Sequence, residues 1–430
     1  MIKNVLKKIV VFILNLETRL IIKKYHPKLI GVTGNVGKTS TKEAITAVMK
    51  TKYETRGSTK SYNSDLGVPL TVIDAKTAWG SLPGWIGIVF RGLDLIFTKN
   101  DYPEWLVLEV GADRPGDIKN LVKWLKFDVA VVSRLPDVPV HIEFFKDKEA
   151  VIDEKMSLPL SIKPDGLIVL NADDPNVMSR LDKIKGKVVL YGFGEKAEVR
   201  ASNEHITYDN GAPTGFAFDV SCAGEKAPVQ ISGAVGLHLV YPVLASISVG
   251  TALGVELSSA VSALSSHFPP PGRLKIVPGL NGSTILDDTY NSSPIALEAA
   301  LNTLRQIETT GRKIAVIGNM MELGSHTAEE HKRMGELASG ICDLIVTVGV
   351  RARFAYESAL SAGFTPDKIS HFDTSILAGE YLKTIVGAGD IILVKGSQSA
   401  RMEKAVEQII ADPTKKKQLL VRQDEEWLNR

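Results

Sequence analysis

The stretch that most constrains this chain is residues 28–43, where a short apolar run leads into a glycine-rich turn and a helix-like segment. Residues 29–32 predict a buried strand. Gly34 and Gly37 let the following backbone curl so that its N–H groups point inward at an anion. A helix that starts at Thr39 adds the partial positive charge of its N-terminus. This order of strand, turn and helix predicts a phosphate-binding loop.

Lys38 and Thr39 are the residues of this loop that carry chemistry. The lysine would reach the β- and γ-phosphates of a nucleotide, and the threonine hydroxyl would bind the magnesium ion that bridges them. Val32 stands six positions before Lys38, where the strict pattern of such loops has glycine. An ordinary strand-to-helix turn with a surface lysine is therefore the alternative interpretation.

The composition limits the classes of protein to consider. Of 430 residues, 44% are hydrophobic and 23% charged, which is typical of a globular protein. The net charge of +2 comes from dispersed lysines and does not favour nucleic-acid binding. Cys222 and Cys342 are the two cysteines, too few and too far apart for a disulfide framework. We expect a cytoplasmic protein.

Residues 1–26 combine apolar and basic side chains at helical spacing. Their longest run without charge, residues 9–16, is far shorter than the ~20 residues of a spanning helix. No small-residue cleavage site follows, so a signal peptide is not indicated. Two interpretations stay open: a helix packed on its own domain or a partner, and a basic amphipathic helix in peripheral contact with a membrane. The apolar stretch 79–98 is likewise either a buried helix or an exposed patch for a partner or membrane.

Short apolar runs, each followed by turn residues and a helical stretch, recur along the chain. Such alternation predicts parallel strands joined by helices. The runs are residues 105–110, 127–132, 166–170, 187–191, 284–287, 313–317, 343–347 and 390–395. Residues 198–235 alternate without a helix and predict a small antiparallel patch. The proline-rich segment 267–272 predicts a domain boundary.

Several polar residues follow these predicted strands, where open α/β sheets bind ligands. Glu109 ends an apolar strand, a costly place for a carboxylate unless it is paired or binds a metal. His141 is either a structural histidine or a contact to metal or phosphate. Asp287 and Asp288 point to opposite faces of a strand, so at least one could face a cleft.

Taken together, the segments resemble the Mur ligase family, the ATP-dependent amino-acid and peptide ligases of cell-wall synthesis. The resemblance runs from about residue 29 to about residue 410. It is closest to the members that join D-alanyl-D-alanine to a UDP-muramoyl tripeptide. It rests on the order and spacing of many motifs: residues 33–43, 63–70, 108–118, 141–143, 171–175, 236–238, 272–273, 287–294, 318–324 with His331, and 395–397.

The resemblance implies an α/β protein of two domains behind a basic helix over residues 1–28. Residues 29–268 would form a central P-loop ATPase-type domain with a parallel sheet and a small antiparallel patch. Residues 269–430 would form a Rossmann-like α/β domain. We expect the family's N-terminal UDP-binding domain to be missing, because about 28 residues precede the loop.

The resemblance also implies roles for individual residues. ATP would be held by Gly34, Asn35, Gly37, Lys38, Thr39, Ser40, Arg273 and Asp288. Thr39 and Glu109 would bind one Mg²⁺ and His141 a second, with support from Lys155 as a lysine carbamylated by CO₂. Asn63, Lys395 and Ser397 would place the substrates. Catalysis would depend on Lys38, His141 and Lys155.

The implied reaction has two steps. An acceptor carboxylate attacks the γ-phosphate to give an acyl phosphate and ADP, and an amine then displaces phosphate to form an amide. Leu239 and Pro242 stand where the family has asparagines, so the adenine contacts are expected to differ. The substrates would be small molecules and peptides, and the protein would be a monomer. The alternatives are a ligase for a lipid-linked or polymeric acceptor, and a catalytically silent scaffold.

Overall fold

The computed structural model describes residues 2–58, 66–78, 81–139, 141–266, 270–424 and 427, with the backbone alone for residues 2–8. Two β-sheets, each covered by helices, account for the predicted α/β class. Asn63 and residues 267–269, on which the sequence places a substrate contact and the domain boundary, lie outside the described residues.

Nine strands form the first sheet. They are β1 (Lys28–Thr33), β2 (Thr55–Gly57), β3 (Trp105–Glu109), β4 (Val129–Val132), β5 (Leu167–Asn171), β6 (Lys187–Gly192), β7 (Val199–Asp209), β8 (Ala212–Cys222) and β9 (Glu225–Ser232). Their order is β2-β3-β1-β4-β5-β6-β7-β8-β9, parallel up to β7 and antiparallel beyond it. The predicted antiparallel patch is therefore confirmed, and it continues the parallel sheet.

Helices cover both faces of this sheet. They are α1 (Ile2–Tyr25), α2 (Lys38–Met49), α3 (Gly67–Ile73), α4 (Leu82–Phe97), α5 (Asp117–Trp124), α6 (Lys148–Met156), α7 (Pro175–Met178), α8 (Val240–Ala252) and α9 (Leu257–Ser265). Alternate strand residues explain the two layers: Ile30 and Val32 pack against α2, α8 and α9, while Leu29 and Leu106 pack against α1, α3 and α4. Burial on both faces is why these strands are apolar without interruption.

Six strands form the second sheet. They are β10 (Lys275–Pro278), β11 (Thr284–Asp288), β12 (Lys313–Gly318), β13 (Leu344–Val348), β14 (Ile369–Phe372) and β15 (Ile391–Lys395), in the order β10-β11-β15-β12-β13-β14. Only β10 is antiparallel to its neighbour. Its helices are α10 (Pro294–Gln306), α11 (Thr327–Ser339), α12 (Arg353–Ser361), α13 (Ser375–Ile385), α14 (Glu403–Ile409) and α15 (Lys416–Leu419).

The end of the chain differs from expectation. The charged composition beyond Asp412 predicts a solvated final helix, but α15 spans a single turn and residues 420–424 form no helix. Leu420 and the side chain of Arg422 are buried against the second sheet's loops. The composition did not predict these two buried side chains, because the exposed lysines around them dominate the average.

The N-terminal helix packs on its own domain. Leu14 and Ile21 of α1 are fully buried in the core that contains Leu29 and α4. Between them lies Glu17, a carboxylate that is 3% exposed and has no hydrogen-bond partner among the described residues. Burial raises the pKa of the Glu17 carboxyl to about 7. None of the described helices has the length and apolarity needed to cross a membrane.

Glu17 makes the stability of this helix pair depend on pH. Because its pKa is raised, the carboxyl stabilises the fold most below its ordinary value of 4.5, and this contribution is lost as pH rises to about 7. We expect Glu17→Gln to be more stable than the parent at pH 8, by on the order of 1 kcal/mol. The gain should vanish near pH 4.5, as measured by urea unfolding.

The exposed Glu204→Gln serves as the control, because that carboxylate lies on the solvent side of β7. It should leave the pH profile of stability unchanged. An advantage for Glu17→Gln that is equal at both pH values would contradict the burial argument.

Candidate functional site

The glycine-rich loop lies at the carboxyl edge of the first sheet, between β1 and α2. Gly34 (φ 135°) and Gly37 (φ 86°) have backbone conformations that favour glycine. A Cβ at Gly34 would lie 2.0 Å from the Ser133 hydroxyl, which comes from the end of β4 and donates to the Val36 carbonyl. The loop is therefore shaped by the neighbouring strand as well as by its own glycines.

Lys38 and Thr39 begin α2 directly beyond this loop. The Lys38 ammonium donates to the Gly34 carbonyl at 2.9 Å, so its side chain curls back over the loop. The Thr39 hydroxyl donates to Glu109 Oε2 at 3.0 Å. Glu109 reaches it because β3 pairs with β1 in a register that places Glu109 beside Val32. The buried carboxylate in an apolar strand is thus paired at the loop.

Arg273 brings the second sheet's part of the chain to the same point. Its Nη2 donates to the Thr39 hydroxyl at 3.4 Å, across 234 residues of sequence. The guanidinium lies 4.0 Å from the ring centroid of Tyr290, a cation–π contact that holds it in place. The Arg273 Nε is buried without a hydrogen-bond partner among the described residues.

Tyr290 is fixed in turn by the end of the chain. Arg422 donates through Nη2 to the carbonyls of Thr289 at 2.7 Å and Tyr290 at 3.2 Å. Its Nε lies 3.5 Å from Glu403, a carboxylate that is fully buried at the start of α14. A series of contacts therefore runs from Arg422 through Tyr290 and Arg273 to the glycine-rich loop.

His141 lies beside the loop between two carboxylates. Its Nδ1 is 2.9 Å from Glu322 and its Nε2 is 3.4 Å from Asp113. Glu322 belongs to the loop after β12, so the second sheet contacts the first here as well. The nearby histidine lowers the pKa of the Glu322 carboxyl. Because the two carboxylates flank opposite ring nitrogens, they do not converge with His141 on one point.

Lys155 is buried in the last turn of α6. It is 1% exposed, and burial, reinforced by the charge of Lys38, lowers the pKa of its ammonium to about 7. Asp113, Glu154 and Asp117 oppose that shift. A large fraction of this amine is therefore uncharged near neutral pH, which is unusual for lysine.

The second sheet contributes a buried ion pair. Asp288 and Lys395 end neighbouring strands in register, and their charged atoms lie 2.7 Å apart. Asp287 points the other way and accepts from Gly272 and Thr289, as the alternation along β11 predicts. Ser397 accepts from the Met321 backbone at 2.9 Å, so its hydroxyl joins two loops of the sheet.

A cavity of about 210 Å³ opens between the two sheets' domains. Arg134 and His238 line it from one side, and Glu298 and Asn302 of α10 from the other. Burial lowers the pKa of His238 to about 4, so this imidazole is neutral at pH 7. The sequence had indicated His238 only as part of a motif.

The structure brings most of the sequence-predicted residues together. Lys38, Thr39, Glu109, Lys155 and Arg273 interact as one group, with His141 joined to it through Asp113. Sequence reasoning missed two carboxylates. Asp113 lies on the turn after β3, within the motif 108–118, and Glu322 lies within the motif 318–324; these motifs were the available signals.

The fold and the loop define a phosphate-binding α/β protein of two linked sheets, and comparison with known families agrees. The model of the Mur ligase middle domain matches residues 91–250, and that of the Mur ligase, glutamate ligase domain matches residues 272–398. Together the two matches cover about two thirds of the chain. The chain belongs to the Mur ligase family.

Individual relatives are similar over most of their length. The chain is 27% identical over 396 residues to UDP-N-acetylmuramoyl-tripeptide–D-alanyl-D-alanine ligase of Bacillus subtilis, covering 90% of this chain and 76% of that protein. It is 28% identical to the enzyme of the same name from Mycobacterium leprae, covering 89% and 74%. Among solved structures, MurF ligase of Thermotoga maritima in complex with ADP has a TM-score of 0.74 at 26% identity, covering 93% and 83%.

The Asp288–Lys395 pair allows a test of this local structure. Asp288→Asn would leave a buried ammonium without its counter-charge, so we expect a loss of about 3 kcal/mol in the free energy of unfolding. Adding Lys395→Met should recover most of that loss, because the unpaired charge is then gone. Urea unfolding of the three proteins measures both effects.

The exposed pair Arg353–Glu357 is the matched control. Glu357→Gln should change stability by less than about 0.5 kcal/mol. If Asp288→Asn changed the free energy of unfolding as little as this control, Asp288 would not be compensating the charge of Lys395.

Proposed function

We propose that this chain is an ATP-dependent, ADP-forming ligase that adds D-alanyl-D-alanine to a muramoyl-tripeptide precursor of the cell wall. The relatives that carry this activity in their names cover about nine tenths of the chain. The observation that carries the proposal is the shared contact at Thr39. Its hydroxyl meets Glu109 of the first sheet and Arg273 from the second sheet's part of the chain.

ATP is the nucleotide that this loop is proposed to hold. The curved backbone of Gly34, Asn35 and Gly37 and the start of α2 at Lys38, Thr39 and Ser40 would surround its phosphates. Arg273 lies within reach of the same point and would add a positive charge opposite the loop. Asp288, held by Lys395 in the second sheet, is proposed to contact the nucleotide from the other side.

In the first step, an oxygen of the acceptor carboxylate attacks the γ-phosphorus and the bond to the β–γ bridging oxygen breaks. The products are an acyl phosphate and ADP. The step brings several negative charges together, and Lys38 and Arg273 would stabilise that charge from two sides. A site built from two sheets can exclude water around the acyl phosphate when they close together.

Mg²⁺ fits the residues at the loop. Among the described residues, no group of three His, Cys, Asp or Glu side chains could hold a metal alone. A magnesium ion at a nucleotide site takes few protein ligands, because phosphates and waters supply the others. Thr39 and Glu109 would hold it and His141 a second ion, and the metal would neutralise phosphate charge.

In the second step, an amine attacks the acyl carbon and phosphate leaves, so that an amide forms and the amine loses a proton. Lys395 and Ser397 lie at the carboxyl end of β15, where the sequence places this substrate. Both side chains are buried and engaged, Lys395 with Asp288 and Ser397 with Met321. We therefore propose that Lys395 and Ser397 stabilise the loops that bind the amine substrate, rather than contact it themselves.

Lys155 is proposed to be carbamylated. Carbon dioxide reacts with the uncharged amine, and a lowered lysine pKa increases the fraction of that form at neutral pH. The product would replace a buried ammonium beside Lys38 with an anion. This change would remove the repulsion between the two lysines and add an anion to the group that His141 joins through Asp113, in support of the second metal ion.

The proposed substrates are small molecules and peptides, and the proposed working unit is a cytoplasmic monomer. A second candidate function keeps the chemistry and replaces the UDP-linked acceptor with a lipid-linked one. The basic helix α1 favours that candidate, because peripheral contact of residues 1–26 with a membrane would bring the site close to a lipid-linked acceptor. A silent scaffold is disfavoured, because it needs neither Lys38 nor a buried Lys155.

The ligase proposal predicts ADP release that requires both a muramoyl-tripeptide acceptor and D-alanyl-D-alanine. Lys38→Ala should lower this rate roughly 10²–10³-fold, because phosphate charge then loses a buried cation. Lys50→Ala, at the exposed end of α2, is the control and should keep full activity. A coupled ADP assay measures all three proteins.

ATP turnover that is indifferent to every peptide acceptor and amine would defeat the ligase proposal. Activity on a lipid-linked acceptor but not on the UDP-linked one would favour the second candidate. Unchanged turnover by Lys38→Ala would remove the phosphate-loop assignment.

Carbamylation of Lys155 predicts a carbamate carbon signal in ¹³C NMR after the protein is equilibrated with ¹³C-bicarbonate. The signal should grow as pH rises through about 7 and fade below it, because the protonated amine does not react. Lys155→Met should abolish the signal, whereas Lys163→Met, at the partly exposed partner of Asp128, should not. A signal that persists in Lys155→Met would place the carbamate elsewhere.

A further inference from the structure

Exposed apolar side chains are concentrated on α1 and α4. Of the fifteen large apolar side chains most exposed among the described residues, nine lie on these two helices. They are Ile9, Phe12, Leu16 and Leu20 on α1, and Leu82, Ile86, Phe90, Leu93 and Phe97 on α4. Spacings of three and four residues place each set on one helix face. Neither face is covered by the rest of the described chain.

The two helices are neighbours and run in the same direction. The Tyr25 hydroxyl at the end of α1 donates to the Leu95 carbonyl near the end of α4 at 2.8 Å. One to two turns earlier, Gly92 lies so close to Glu17 that an added Cβ would be 2.3 Å from its carboxylate. Each helix turns its other side to the core through residues such as Ile21 and Ile88. The two apolar rows therefore lie on adjacent parallel helices, and we call them together the α1–α4 face.

Charge is distributed unevenly around this face. Residues 1–28 contain seven lysines and arginines and one acidic residue, a net charge of +6, while the remaining residues sum to −4. The single acidic residue is Glu17, which is buried and does not reach solvent. Arg19 and Lys23 are exposed beside Leu16 and Leu20. On α4 the exposed Arg91 and Asp94 cancel, so the excess of positive charge lies along the α1 row.

We propose that the α1–α4 face docks on the surface of an anionic phospholipid bilayer, with both helices lying in its plane. Phe12, Phe90 and Phe97 are 71%, 65% and 81% exposed, and would enter the boundary between headgroups and acyl chains. Lysines at the edge of such a row attract anionic headgroups, whereas lysine is depleted where proteins bind one another. The combination of apolar rows with excess positive charge therefore favours a bilayer over a protein partner.

Docking goes beyond the proposed ligase reaction and does not rest on it. None of the nine side chains belongs to the site around Lys38, so binding to vesicles and turnover of ATP can be measured separately. Absence of vesicle binding with normal ATP turnover would contradict docking alone. Vesicle binding without ATP turnover would contradict the ligase proposal alone.

The experiment is co-sedimentation of the full chain with vesicles of phosphatidylcholine alone or of equimolar phosphatidylcholine and phosphatidylglycerol. We expect binding to the anionic vesicles that weakens as salt is added. Phe12→Glu combined with Phe90→Glu should weaken binding roughly tenfold or more. Two rings that would enter the bilayer are then replaced by carboxylates that anionic headgroups repel. Val350→Glu is the matched control, since Val350 is 80% exposed on the other sheet's domain.

Three results would overturn the proposal. One is equal binding to neutral and anionic vesicles, and another is equal loss of binding in Val350→Glu. The third is failure to bind any vesicle while light scattering shows a wild-type dimer that the double variant converts to monomer. That last result would assign the face to self-association. Circular dichroism of the variants verifies that they are folded.

Discussion

Buried positive charge at the junction of the two sheets is the constraint on which the rest of this structure depends. Burial lowers the pKa of Lys38, Lys155 and Lys395, and Arg273 lies among them. Cations are costly to remove from water unless anions compensate them. Asp288 compensates Lys395 directly, whereas Lys38 and Lys155 influence each other unfavourably. The pKa of Lys38 stays lowered although Glu109 and Asp113 oppose the shift, so a bound polyanion such as a nucleotide's phosphates would stabilise these buried cations further.

Both sheets contribute residues to this site. Parallel strands place their following loops at one edge, so β1, β3 and β4 together shape the glycine-rich loop and present Glu109. The second sheet does the same with β11 and β15, whose register joins Asp288 to Lys395. Neither edge holds all the charges that phosphoryl transfer needs. The contacts of Thr39 with Arg273, and of His141 with Glu322, join the two edges.

The sequence predicted the long buried strands and the loop well, because continuous apolar runs and Gly-Lys-Thr spacing are local signals. It missed β2, β10 and β14, which have three or four residues and little periodicity to detect. It also missed Glu322 as a neighbour of His141, since 181 residues separate them and packing alone brings them together. For α1, the helical spacing of apolar residues correctly predicted a helix. Its buried contacts, however, come from Leu14 and Ile21, whereas Ile9, Phe12, Leu16 and Leu20 are exposed.

The hydrogen bonds from Arg422 to the backbone of Thr289 and Tyr290 link local unfolding near Arg422 to the position of Arg273. A short irregular segment such as residues 420–424 unfolds locally at a lower free-energy cost than central strands. If the segment around Arg422 detached, the carbonyls of Thr289 and Tyr290 would lose their hydrogen bonds from Arg422. The Tyr290 ring would then hold the Arg273 guanidinium less firmly. One of the contacts between the two sheets would then be weakened, while the His141–Glu322 contact and both sheets would be kept. Detachment of a few residues would therefore loosen Arg273 beside the glycine-rich loop without any melting of the fold.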